Sequence, residues 1–147
     1  MKRLILLAAA LLVSCSKSGG SSDLRISDAW ARETMAGHST TAAYMTIANH
    51  GTATDELVSV AAPTPAMAMI HSSTNDYGIT RMRLVTELPI PAGGTVALKP
   101  GGEHVMVMRL QRPLKPGHTL RLTLRFRRSG ELPVDVPVLS AAAAPAQ

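Results

Sequence analysis

The chain has 147 residues, 46% of them hydrophobic, with 15 Lys and Arg against 10 Asp and Glu and a single cysteine. That length suits one domain with an adequate core and excludes a multidomain protein. One cysteine excludes a disulfide framework, a Cys-X-X-Cys redox site and thiolate zinc sites, and a modest positive charge without interleaved aromatics argues against nucleic acid.

Residues 1–15 read as a lipoprotein signal peptide: Lys2 and Arg3, the apolar run from Leu4 to Val13, then small residues, too short to span a membrane. Leu12-Val13-Ser14-Cys15 has the form of a bacterial lipobox, so Cys15 is expected to become a lipidated N-terminus anchored in a membrane. Without Lys2 and Arg3 the basic count falls from 15 to 13 against 10 acids, a formal charge of +3. Residues 16–22 (SKSGGSS) read as a flexible tether with an r.m.s. reach of roughly 15 Å. Ser16 after Cys15 points to the periplasmic side of the outer membrane rather than the inner membrane. The folded domain is expected over 23–138, followed by a disordered Ala/Pro tail at 139–147.

Within the domain, Leu24 to Arg32 and Thr40 to Ala48 read as strands, with Trp30 as a core anchor, and His38 and His50 fall in exposed loops. Glu56 to Ala61 is a further strand, ended by Pro63-Thr64-Pro65. Met67 and Met69 then lead with period two to His71. Asn75-Asp76-Tyr77-Gly78 reads as a four-residue hairpin loop, which places His71 directly opposite Met82 on one face of a sheet. Two Gly-rich turns bracket Thr95 to Leu98, and neither opens a helix as a phosphate cradle would. In Glu103 to Leu110, His104, Met106 and Met108 share one side and Val105 and Val107 the other, which suggests a strand buried on both faces except near His104. Leu120 to Arg127 alternates Leu and Phe with Arg121, Thr123, Arg125 and Arg127, an apolar face backed by a basic one. Val134, Val136 and Val138 form a last strand, with Pro133 and Pro137 implying an edge. No ordinary helix follows the signal, and turns recur about every ten residues, the pattern of an all-β sandwich.

His71, ten residues, Met82, twenty-one residues, His104, one residue, Met106 is the spacing that stands out. Singly, each residue is explained by core packing or a satisfied polar group. Together they offer two imidazoles and two uncharged thioethers, a donor set that favours Cu(I) over zinc, iron or magnesium. Only the imidazoles compete with protons, so binding is expected to weaken in acid. With Cys15 lipidated no thiolate remains for a blue-copper centre, so the metal would be carried rather than cycled in electron transfer. Met69 and Met108 are further thioether candidates near the same site.

This pattern resembles the signature of the PCuA(C) family of periplasmic copper(I) chaperones: His or Met, ten residues, Met, twenty-one residues, His, one residue, Met. Asp28-Ala29-Trp30-Ala31-Arg32, Asn49-His50-Gly51, Pro91-Ala92-Gly93-Gly94 and Lys99-Pro100-Gly101-Gly102 extend the likeness over roughly 24–127. The resemblance implies a cupredoxin-like fold, no catalytic residues, and delivery of Cu(I) towards the CuA site of cytochrome c oxidase subunit II, alongside a Sco-type protein. Ser72, Glu103 and Arg109 depart from it, standing where a Glu, an aromatic and a small residue are frequent. Two alternatives stay open: envelope copper buffering or resistance, and a structural lipoprotein that docks a partner through its basic strand.

Overall fold

The computed structural model describes residues 20–145; the targeting segment and the lipidation site expected at Cys15 lie outside the described residues. The described chain is all strand: β1 (Leu24–Arg32), β2 (Thr41–Asn49), β3 (Asp55–Ala61), β4 (Met67–Asp76), β5 (Ile79–Leu84), β6 (Leu88–Ile90), β7 (Thr95–Leu98), β8 (Glu103–Met108), β9 (Thr119–Phe126) and β10 (Gly130–Leu139). They hydrogen-bond in the order β5-β4-β8-β2-β1-β10-β9-β3-β6, with β7 pairing β2 beyond the end of β8.

This path holds together at its centre by a short parallel contact, Ala31 with Val138 and Arg32 with Leu139. On either side of that joint the sheet folds over itself. Ile47, Val105 and Val107 from one half meet Leu57, Leu122, Leu124 and Val136 from the other in one cluster, each fully buried. Burial of such side chains, worth roughly 1.5 to 3 kcal/mol apiece, is what the alternating strands gain by facing each other. The result is the single-domain sandwich expected from the strand pattern.

The basic face of β9 is ion-paired within the sheet, although its arginines stay more than half exposed. β9 lies between β10 and β3, and its arginines meet carboxylates on its neighbours. Arg121 grips Asp135 through two bonds of 2.7 and 3.1 Å, Arg125 pairs with Glu131, and Arg127 with Glu56 and Glu87. Asp135 and Glu131 sit directly opposite their arginines on β10, so the charges cancel across the strand pair.

Ser21 and Ser22, expected in the tether, are already bonded to the domain. The Ser21 carbonyl accepts from the Thr52 and Ala53 amides, and the Ser22 hydroxyl donates to Asp55 at 2.8 Å. Asp55 is 1% exposed and also accepts from the amides of Glu56, Arg128 and Ser129 and from the Ser129 hydroxyl. Burial pushes its carboxyl up, but these bonds outweigh burial and hold it at about 2, below the ordinary 3.8. A folded-state value below the unfolded one gives stability that is complete above the unfolded value and disappears as pH falls from there through the folded one. Asp55→Asn is therefore expected to cost about 2 kcal/mol near neutral pH and little at pH 2, checked by urea unfolding across that range.

Candidate metal centre

Alternation along β4 and β8 decides what each face carries. Ile70 and Ser72 on β4, and Val105 and Val107 on β8, turn inward and are at most 4% exposed. Met67, Met69 and His71, with His104, Met106 and Met108, therefore turn to the outer face. There β4 and β8 pair antiparallel with Met67 opposite Met108, Met69 opposite Met106 and His71 opposite His104. The outer face of β8 is half-buried at Met106 and Met108 and buried at His104, the reverse of the gradient expected from sequence.

His104 is buried because it belongs to a row of rings that crosses the sheet. Trp30 on β1 pairs with Tyr44 on β2, their centroids 4.5 Å apart; Tyr44 lies 6.4 Å from His104, and His104 lies edge-on 6.1 Å from His71. Trp30 is thus buried, as expected, but in this outer row rather than in the core cluster. Burial pushes the Tyr44 hydroxyl up, and Arg32 opposes that shift.

The β4–β5 hairpin differs from expectation by two residues of register. Tyr77 and Gly78 alone form the loop, both with positive φ (53° and 81°), which is the backbone of a tight two-residue hairpin turn. The Asn75 carboxamide oxygen accepts from the Gly78 amide at 3.0 Å and supports it. Leu84, not Met82, consequently stands opposite His71, while Met82 stands opposite Ser73. A shift of two preserves parity, so Met82 remains on the His71 face as a diagonal neighbour.

The four residues therefore occupy three successive rows, with Met82 on one side of the imidazole pair and Met106 on the other. Small residues beside the thioethers, Ser73 opposite Met82 and Ala42 opposite Met106, leave a cavity of about 430 Å³. Met82, His104 and Met106 line it with Tyr44, Arg32 and Gly101; His71 does not, and borders it through the His104 ring. No carboxylate lines the cavity, and among the described residues no three of His, Cys, Asp and Glu gather into a cluster. A hard dication would find no oxygen cage here, so the donors available are imidazole nitrogen and thioether sulfur.

The imidazole nitrogens are prepared unequally. His104 Nδ1 lies 3.0 Å from the Gly102 carbonyl, which only accepts, so Nδ1 carries the hydrogen and Nε2 keeps a free lone pair. His71 Nδ1 is shut off from solvent and has no hydrogen-bond partner among the described residues. Such a group costs about 1 to 3 kcal/mol unless something occupies it. On the inward side of the same strands, Ser72 donates to Glu103 at 3.3 Å. The two departures Ser72 and Glu103 are thus directly paired partners, and β8 supplies the carboxylate there.

The chain matches over residues 24–138 the family model described as "Putative lipoprotein LpqE-like". The "Putative lipoprotein Lxx21020" of Leifsonia xyli subsp. xyli (strain CTCB07) is 34% identical over 133 residues, which cover 89% of this chain and 79% of that one. Among solved structures, the copper-bound PCuAC domain from PmoF2 superposes with a TM-score of 0.67 over 80% of this chain and 92% of that one, at 22% identity, a likeness of fold. The Cu(I) form of DR1885 from Deinococcus radiodurans is 36% identical, with a TM-score of 0.59 over 77% of each chain.

The Gly102 contact makes a spectroscopic prediction independent of any ligand. Long-range proton–nitrogen NMR should find neutral His104 as the Nδ1–H tautomer, and an Nε2–H form would contradict the geometry.

Proposed function

Because the chain belongs to the LpqE-like lipoprotein family and shares the cupredoxin-like fold of PCuAC domains, we propose that it is a Cu(I) chaperone of the cell envelope, with His71, Met82, His104 and Met106 as its ligands. The observation that carries this reading is the unpartnered, buried Nδ1 of His71 beside a His104 whose Nε2 is held open, at a cavity bordered by two thioethers. Soft, uncharged donors with an arginine at the rim suit a monovalent soft ion and discourage hard dications.

The same donors suit transfer. Thioethers need no proton to release the metal, and Met82 sits on the edge strand β5 with half its surface in solvent. An incoming sulfur ligand reaches the ion there first and displaces Met82, while the imidazole pair holds on until the acceptor has a second donor in place. The reading assigns the protein no catalytic step of its own.

Lipidation at Cys15 would keep the domain close to its membrane. Ser21 is bonded to the domain, so five residues of sequence lie between it and Cys15, for which a flexible chain would have a reach of roughly 12 Å. From the inner membrane that reach allows direct supply of the CuA site of cytochrome c oxidase subunit II, or of a Sco-type intermediate. From the outer membrane, which Ser16 favours, supply needs a soluble go-between and copper buffering is the larger role. The arginines of β9 are engaged within the domain, which weakens the alternative of a structural lipoprotein docking through that strand.

The test is an anaerobic titration of the full chain with Cu(I) against a competing chelator, beside a Met82→Ala, Met106→Ala double variant. The wild type should show a tight equivalent that the variant loses. Met82 is half-exposed and Met106 half-buried, so the variant should keep its fold by circular dichroism, at a cost near or below the roughly 2 kcal/mol lower limit for a buried Met. Tighter binding of Cu(II) than of Cu(I), or retention of the tight equivalent in the variant, would overturn the reading.

A further inference from the structure

Of the eight methionines in the chain, Met45 is the one placed in the core among the described residues. Met67, Met69, Met82, Met106 and Met108 all lie on the outer face of the β5-β4-β8 sheet, the face that polar residues normally occupy when the other side is core. Core packing therefore does not account for them, and the proposed Cu(I) site uses only Met82 and Met106. Met67, Met69 and Met108 remain.

We propose that Met67, Met69 and Met108 form a second, thioether-only Cu(I) site next to the first. It goes beyond the chaperone reading and rests on it only for the direction in which the metal moves. Met67 and Met108 are directly opposed, so their Cβ atoms stand roughly 5 Å apart, and Met69 is one step along β4, roughly 7 Å from Met67 and diagonal to Met108. Each sulfur is two rotatable bonds beyond its Cβ, so three unbranched side chains on one face can converge on one ion. Met67 is 37% exposed and Met69 and Met108 are partly buried, so all three thioethers lie within reach of solvent. Three uncharged sulfurs select a soft monovalent ion and offer nothing to Zn(II) or Mg(II).

Its position gives it a role. Met69 is directly opposite Met106, so the two sites adjoin across one cross-strand pair. An ion taken up at the exposed Met67 end moves one row of the sheet to come within reach of Met106 and the imidazoles, without being released to water.

Anaerobic Cu(I) titration of the full chain, combined with a Met67→Leu, Met108→Leu variant, tests this. Leu for Met conserves volume and polarity, so the variant should unfold at a temperature close to that of the wild type. The wild type should bind two equivalents, and the variant should lose the second while keeping the tight first one. A single equivalent in the wild type, abolished in the Met82→Ala, Met106→Ala variant, would overturn the second site and leave the chaperone reading standing. Two equivalents retained in the Leu variant would also overturn it. No binding of Cu(I) at all would overturn both.

Discussion

The antiparallel register of β4 against β8 is the constraint on which the site depends. It sets His71 against His104 and Met69 against Met106 within one sheet, and hydrogen bonds along both strands hold it rigid. A slip of one residue would send every outer side chain into the core and bring Ile70, Ser72, Val105 and Val107 to the surface. The register is therefore enforced by hydrophobic burial on the opposite face. The core lies on the opposite face of the sheet, yet it decides where His71, His104 and Met106 point.

Around that register the outer face is graded from rigid to accessible. The Trp30–Tyr44–His104 row clamps one imidazole from the side of β1 and β2, and the Gly102 carbonyl sets its tautomer. On the far side β5 is an edge strand, exposed along its whole length, and it carries Met82. The proposed carrier role calls for both properties: donors held in place so that binding is not spent on ordering them, and one donor that an acceptor can displace.

The other half of the molecule is devoted to holding itself together. Asp55 gathers bonds from Ser22, Glu56, Arg128 and Ser129 and so ties the start of the domain to the β9–β10 turn. The arginines of β9 are matched by carboxylates on β10 and β3 and by Glu87. What reads in one dimension as a basic stripe is in three dimensions a set of cross-strand pairs. Arg32, at the cavity, lies away from that network.

The sequence by itself determined the all-β class and nearly all strand positions, and it singled out the four proposed donors, because period-two alternation, turn residues and the His and Met spacing are all local signals. It also determined that these donors share a face, since parity survives even a misjudged loop. Tertiary structure decided the rest. The two-residue turn at Tyr77 and Gly78 moved Met82 from opposite His71 to opposite Ser73, a difference invisible where Asn, Asp, Tyr and Gly all favour turns. Trp30 looked like a core residue because burial, not location, is what an apolar ring advertises. The pairing of Met69 with Met106, of Ser72 with Glu103 and of the β9 arginines with their acids joins residues from different strands. Such partners are set by long-range register, which no single segment encodes.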